Sequence, residues 1–286
     1  MVKLMTRFSQ ESEFLEQSYT PTSIDITPRE PYFDISESLA RDWHGDDAFK
    51  TAYFNAFSIT FPVGEKFFID AVRSFEGELA DRRLQDNVRG FIGQEGRHRR
   101  EHQNYNETLC AARGYDLARL ERTQRERIEW VKSNTSRYQW LAATVALEHI
   151  TAIMADGILR NPKWLDGADP AMAALWRWHA IEETEHKAVA FDVYRAVNGW
   201  DKTRRQILRV VTWQLLRDTL LHTRYMLSVA GKHRDLGVWW NGLGFLFGRE
   251  GIWHPLVADW RQFMRADFHP WDLDNRALLD GAPAGI

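Results

Sequence analysis

The chain has 286 residues, 44% of them hydrophobic, with 37 lysines and arginines against 40 aspartates and glutamates. That length buries one sizeable core or at most two modest ones, and a formal net charge of -3 with both signs interspersed excludes the basic stripe that nucleic-acid binding needs. The single cysteine, Cys110, excludes an internal disulfide and a thiolate metal cage, so a reducing cytoplasm is the expected setting.

Residues 1–45 carry turn residues, prolines at Pro21, Pro28 and Pro31 and no sustained period, which predicts an extended N-terminal arm. The first residues, MVKLMTRFSQESE, lack the apolar core of a secretory signal. From Asp46 helical patterns dominate, and the spacing predicts helices over 46–80, 82–113, 116–132, 136–160, 170–197 and 202–230, followed by an aromatic-rich tail. Breaks fall at Gly114, in NPKWLDGADP (161–170) and in NGWD (198–201), and no stretch keeps the alternation of a strand. The greasy segment 210–231 is interrupted by Arg217, Asp218 and Arg224, so no run is expected to reach the roughly 18 apolar residues of a membrane span. Thirteen tryptophans leave peripheral contact with a membrane surface open. The expected class is all-α: an arm over 1–45, a helical bundle over 46–200 and a C-terminal helical extension over 201–286.

Steps of three and four residues along each long helix trace its buried seam. The seams run Phe61, Glu65, Phe68, Val72; Phe91, Glu95, His98, His102, Tyr105, Leu109; Val145, Glu148, Ala152, Ala155; and Leu175, His179, Glu183, His186, Ala190. Each apolar line therefore carries a carboxylate in its middle. An unpaired buried carboxylate costs several kcal/mol, so four in one core call for cations among them. Residues three apart on a helix share a face, so Glu95/His98 and Glu183/His186 each present two ligands to one ion while glutamates bridge to a second. Glu65, Glu95, His98, Glu148, Glu183 and His186 thus form the ligand set of a carboxylate-bridged two-metal centre in a four-helix bundle. Iron is the first expectation for this oxygen- and imidazole-rich set, with manganese and zinc as alternatives.

FPVGEKFF, GFIGQEGRHRREHQNYN, LEHITA, WHAIEETEHKAVAFDVY and FHPW resemble the motifs of a bacterial family of predicted metal-dependent hydrolases, itself similar to ferritin-like carboxylate-bridged proteins. The resemblance runs from about Trp43 to Trp271, and its six ligand positions are all filled. It implies a ferritin-like bundle with added C-terminal helices, and its name implies hydrolysis.

Other residues compete for roles at such a site. His102 and His179 share the seams of the two Glu-x-x-His motifs and are read as catalytic or supporting groups, with direct ligation as the alternative. Tyr105 is a candidate site hydroxyl or an ordinary core tyrosine. His149 lies about 100° around its helix from Glu148 and faces a neighbouring element. Glu182 is expected to pair an arginine or a ligand's second nitrogen. Arg97, Arg99 and Arg100 read as a solvated face, and Trp239, Trp240, Trp253 and Trp260 as a roof over an apolar pocket or as packing against the bundle or a second copy in a homodimer. The leading expectation is an oxygen-activating oxidoreductase acting on a small apolar or aromatic molecule, with an electron donor as partner. Two-metal hydrolysis is the alternative, and an iron-binding or structural role the third.

Overall fold

A computed structural model describes residues 19–279, so the first 18 residues of the arm lie outside the described residues. The secondary structure of the described residues is all-helical: a four-residue helix, Ser36–Leu39, interrupts the expected extended arm, and then follow α1 (Ala48–Arg73), α2 (Arg82–Arg113), α3 (Leu117–Asn134), α4 (Arg137–Arg160), α5 (Pro170–His186), α6 (Val189–Ala196), α7 (Asp201–Val229), α8 (Leu236–Phe247) and α9 (Trp253–Gln262). Among the described residues the only extended pairing is one bridge between His44 and Ala168.

Local chemistry sets the helix ends. Asp47, Asp81, Asp116 and Asp169 accept hydrogen bonds from the otherwise unpaired N–H groups of α1, α2, α3 and α5. Ser136 and Gln139 form a reciprocal capping box on α4. Gly114 ends α2 with φ at 71°, a left-handed conformation that costs glycine little. Two expected boundaries move. The first helix stops at Arg73, not near residue 80, and a short 3-10 turn over Glu76–Glu78 follows. The expected 170–197 helix divides at Lys187 and Ala188. There the buried Lys187 ammonium reaches Leu273 O and Asn275 Oδ1, each at 2.7 Å, and so ties the end of α5 to the C-terminal tail.

Helices α1, α2, α5 and α4 close a ring in which α1 packs on α2 and α4, and α5 packs on α4 and α2. Helix α7 covers α1 and α4 from outside, while α8 lies on α1 and α9 on α4. The apolar core falls into two clusters. One gathers Trp43, Phe54, Tyr105, Ile153 and Leu175; the other gathers Phe67, Val88, Phe91, Val145 and Val189. On α1, α2 and α5 the glutamate sits between residues of the two clusters, and on α4 Glu148 lies within one turn of the change from Ile150 to Ile153, so the polar residues form one thin layer between two greasy halves.

Helix α4 corrects the expectation that no segment could span a bilayer. Its 24 residues are long and apolar enough, yet 83% of its most apolar window is buried inside the protein. Those residues serve as core and as the scaffold for Glu148.

The described part of the arm crosses α2 at two glycines. A Cβ on Gly90 would stand 2.2 Å from Ile26 O, and one on Gly93 would stand 2.4 Å from Pro28 Cγ. These two positions let the arm lie flat on the helix that carries Glu95 and His98. Gly93→Ala is therefore expected to lift the arm and destabilise the protein by about 1–3 kcal/mol through overpacking. An unchanged urea midpoint for that variant would show that the arm adjusts freely.

Candidate metal centre

Position 62 starts the construction of the site. Helix α1 runs unbroken through Pro62, which has no N–H to give to the carbonyl four residues back, that of Ser58. Asn106 on α2 supplies the missing donor: its Nδ2 donates to Ser58 O at 3.1 Å. This fixes the amide, so Asn106 Oδ1 accepts the Ser58 hydroxyl at 2.8 Å. With its proton committed, Ser58 Oγ accepts from His102 Nδ1 at 2.8 Å. His102 Nε2 must then be the acceptor for His179 Nδ1, 2.6 Å away. The remaining nitrogen of His179, Nε2, keeps its lone pair and points at Glu183 Oε1, 3.0 Å away. Two acceptors at that distance require a cation or a proton between them.

The two histidines of the Glu-x-x-His motifs are oriented in the same manner. His98 Nε2 lies 3.1 Å from Glu182 Oε2, and its Nδ1 faces Glu183 Oε1 at 3.5 Å and Glu95 Oε1 at 4.0 Å. His186 Nδ1 is tied to Gln94 Oε1 at 2.9 Å. Its Nε2 faces Glu95, Glu148 and Glu183 at 3.2, 3.6 and 3.7 Å. Three imidazoles and four carboxylates thus turn unprotonated or unpartnered atoms toward one another. Donor atoms of Glu65, His98 and His179 lie within 4.8 Å of one another, as do those of Glu95, His98 and Glu183, and those of Glu95, Glu148 and His186. The two outer groups mark two ends of one site, and Glu95 and Glu183 lie between them.

A single residue of the arm holds the outer side of both motif histidines. Arg29 donates to Glu182 Oε1 from its backbone N–H (2.9 Å) and to both oxygens of Glu185 from its guanidinium (2.6 and 2.8 Å). Glu182 carries that tie to His98. Glu185 Oε2 accepts from Gln94 Nε2 at 2.8 Å, and Gln94 carries it to His186. Glu182 therefore faces both an arginine and the outer nitrogen of His98.

Every side chain of the layer is buried. Among the described residues, both oxygens of Glu65, of Glu95 and of Glu148 find no hydrogen-bond partner. Burial, with Glu95 and Glu183 nearby, holds the carboxyls of Glu65 and Glu148 well above the usual carboxylate range. Burial also raises Glu95, against the pull of His186. Burial alone would depress His98, yet the nearby carboxylates of Glu182, Glu183 and Glu95 raise it to about 9. His186 is likewise raised well above its ordinary value, against burial, by Glu183, Glu95 and Glu148. Glu183 is held well below the usual range, despite burial, by His186, His179 and His98. Metal-free, the layer gathers protons where cations would sit. Orphaned carboxylate oxygens and preoriented imidazole nitrogens, seven donor groups in all, are a donor set that could bind metal ions.

Phe61 lies 4.6 Å from His102 and 4.5 Å from His179, and Phe91 lies 5.0 Å from His186, ring centroid to ring centroid; these rings wall the layer on two sides. A small cavity of about 20 Å³, room for roughly one water, reaches His179 and Glu183 between Phe57, Met154, Ile158 and Trp176. The other sequence candidates fall outside the cluster. The Tyr105 hydroxyl donates to Asn55 Oδ1 at 2.6 Å, and its ring stands 5.9 Å from that of His102. His149 lies against Phe263 and Phe268, with Nε2 3.2 Å from Asp259 O, and burial lowers it to about 3. Of the four tryptophans, Trp240 is exposed, while Trp239, Trp253 and Trp260 pack in part against the helices. Arg29, Gln94, Glu185, Ser58 and Asn106 escape sequence reasoning. For Ser58 and Asn106 the advance signal is Pro62, whose missing N–H leaves a helix carbonyl in need of an outside donor.

No curated protein and no solved structure matches this chain. A family model described as "predicted metal-dependent hydrolase" matches residues 27–274, a range that takes in Arg29 of the arm and all seven donors. The chain belongs to that family of predicted metal-dependent hydrolases.

Proposed function

We propose that the chain is a two-metal enzyme built on a ferritin-like bundle of α1, α2, α4 and α5, and that the metal pair serves hydrolysis, the class its family is named for. The observation that carries the reading is the layer itself: four carboxylates and three imidazoles, all buried, with orphaned atoms converging. Glu65, His98 and His179 would hold one ion and Glu148 and His186 the other, with Glu95 and Glu183 shared between them. His179 joins the six ligands expected from the seams because the hydrogen-bond chain from Pro62 leaves its Nε2 without a proton. Two bound divalent ions would supply the Lewis acidity that turns water into a nucleophile near neutral pH and clamps a phosphoryl or acyl oxygen. The chain's own groups orient the ligands: Glu182 and Gln94 fix the motif histidines, and His102 fixes His179. Phe61 and Phe91 exclude bulk water.

A second reading, the oxygen-activating oxidoreductase, is favoured by the cavity beside Glu183, which at about 20 Å³ takes a molecule the size of water or dioxygen more readily than an ester. One set of measurements separates the two. Elemental analysis of protein purified from its native host is expected to give two divalent ions per chain. Zinc or manganese, with turnover of phosphate or carboxylate esters by a colourless protein, supports hydrolysis. An iron pair whose reduced form develops a transient charge-transfer band on mixing with oxygen supports oxidation. Protein without stoichiometric metal would overturn both.

Stripping the metal with a chelator is expected to lower the thermal midpoint. At free metal 1,000-fold above Kd, each site contributes about 4 kcal/mol. Identical melting curves with and without chelator would contradict this.

A further inference from the structure

A second site lies on the outer side of α1 and α4, away from the metal layer. Gly64 and Leu147, the neighbours of Glu65 and Glu148, turn outward there to wall a narrow slot, closed by Phe67, Ile128, Val131 and Leu215 from α1, α3 and α7. The slot has a volume of about 100 Å³. It adjoins a broader vestibule of about 490 Å³ between α3 and α7: Thr123, Asp218 and His222 line both. The vestibule wall carries Arg119, Arg122, Arg217 and Arg224 together with His222 and His233, and Asp218 is the one carboxylate in that lining. The Asp218 charge is already engaged, by Arg127 at 2.7 Å and by Arg217 at 2.8 Å. The vestibule is thus a concentration of positive charge at the mouth of an apolar slot.

We propose that this composite cavity binds a single-chain amphiphile with a carboxylate head, the head among the vestibule arginines and the alkyl chain in the slot. A free inorganic anion would use the vestibule alone, and a neutral apolar molecule the slot alone. Only a ligand carrying both chemistries matches both halves. Guanidinium forks suit a carboxylate, and the slot is smaller than the roughly 150 Å³ cavity that admits benzene, so the chain is short. The site makes no use of the metals and goes beyond the reaction proposed above.

The test is calorimetric titration of the metal-loaded, full-length protein with hexanoate, octanoate, octan-1-ol and inorganic phosphate, beside co-sedimentation with phosphatidylglycerol vesicles. Octanoate is expected to fill one saturable site per chain, with Kd falling about fourfold per added methylene until the slot is full. Arg119→Ala combined with Arg224→Ala is expected to weaken octanoate by about tenfold or more while the metal content stays at the wild-type value. Ala143 on α4 also lines the slot, and Ala143→Leu, which fills it, is expected to remove the dependence on chain length. Octan-1-ol binding as tightly as octanoate, phosphate matching octanoate, or arginine variants that bind like the wild type would overturn the proposal. Vesicle binding without octanoate binding would also overturn it, and would assign the basic face to a lipid surface.

Discussion

Glu183→Ala protein is expected to purify with fewer than half the metal ions of the wild type while keeping its helix content. Glu183 is the carboxylate that faces all three inward imidazoles, with Oε1 at 3.5 Å from His98 and 3.0 Å from His179 and Oε2 at 3.7 Å from His186. Its loss removes a shared negative charge from both ends of the layer. It also leaves the charged His98 and His186 with less compensation in the metal-free protein, where breaking a buried ion pair costs about 3–5 kcal/mol. Glu183→Gln keeps the side-chain volume and removes the charge, so it separates ligation from packing: metal content should fall as in the alanine variant and the thermal midpoint less. His149→Ala serves as the control, since His149 packs against Phe263 and Phe268 and should leave the metal content unchanged. Two ions per chain in Glu183→Ala, measured by elemental analysis beside far-ultraviolet circular dichroism, would sink the assignment of the layer as a metal centre.

The ring of helices and its carboxylates are legible in the sequence because helical periodicity is a local property. Phe61, Glu65 and Phe68 share a face whatever the rest of the chain does, and a carboxylate between two phenylalanines has few benign explanations. The role of His179 is legible only in part. Its place four residues before Glu183 puts it at the site, whereas the nitrogen it offers depends on Asn106 and Ser58, on two other helices. The division of α5 from α6 is not legible either, because its partners, Leu273 and Asn275, lie more than 80 residues away and no local breaker marks Lys187. The arm misleads more seriously. Turn residues and prolines mark its lack of a helical period and conceal that TPREP delivers the guanidinium that pairs Glu182 and Glu185. Such a residue is exposed in composition and fixed only by tertiary contact, so no periodicity reveals it. Gly90 and Gly93 do carry the information, as two helix positions without a Cβ, but their meaning needs the segment that crosses them.

Arg29→Met should therefore weaken metal binding although Arg29 touches no ligand carboxylate of the layer. Its guanidinium neutralises Glu182 and Glu185 together; methionine keeps much of the length and none of the charge. Without it, Glu182 and Glu185 repel each other across a buried space. Glu182, held below its usual range by His98 and Arg29 against burial, loses one of its two cations. The ion pair that orients His98 and the hydrogen bonds that orient His186 then loosen at the same time, because both run through this pair of carboxylates. Disturbing the outer partner of a ligating histidine costs about 10–100-fold in metal affinity, and here two histidines share one partner. The expected result is a rise in Kd of about that size for both ions, measured by competition with a chromophoric chelator. Arg29→Lys should recover part of it, since an ammonium restores charge but cannot span two carboxylates as a guanidinium fork does. A purely structural role for the arm would lower the melting temperature of metal-free protein equally in both variants and leave the metal Kd at the wild-type value. That outcome would separate the arm from the proposed metal centre behind the helix it crosses.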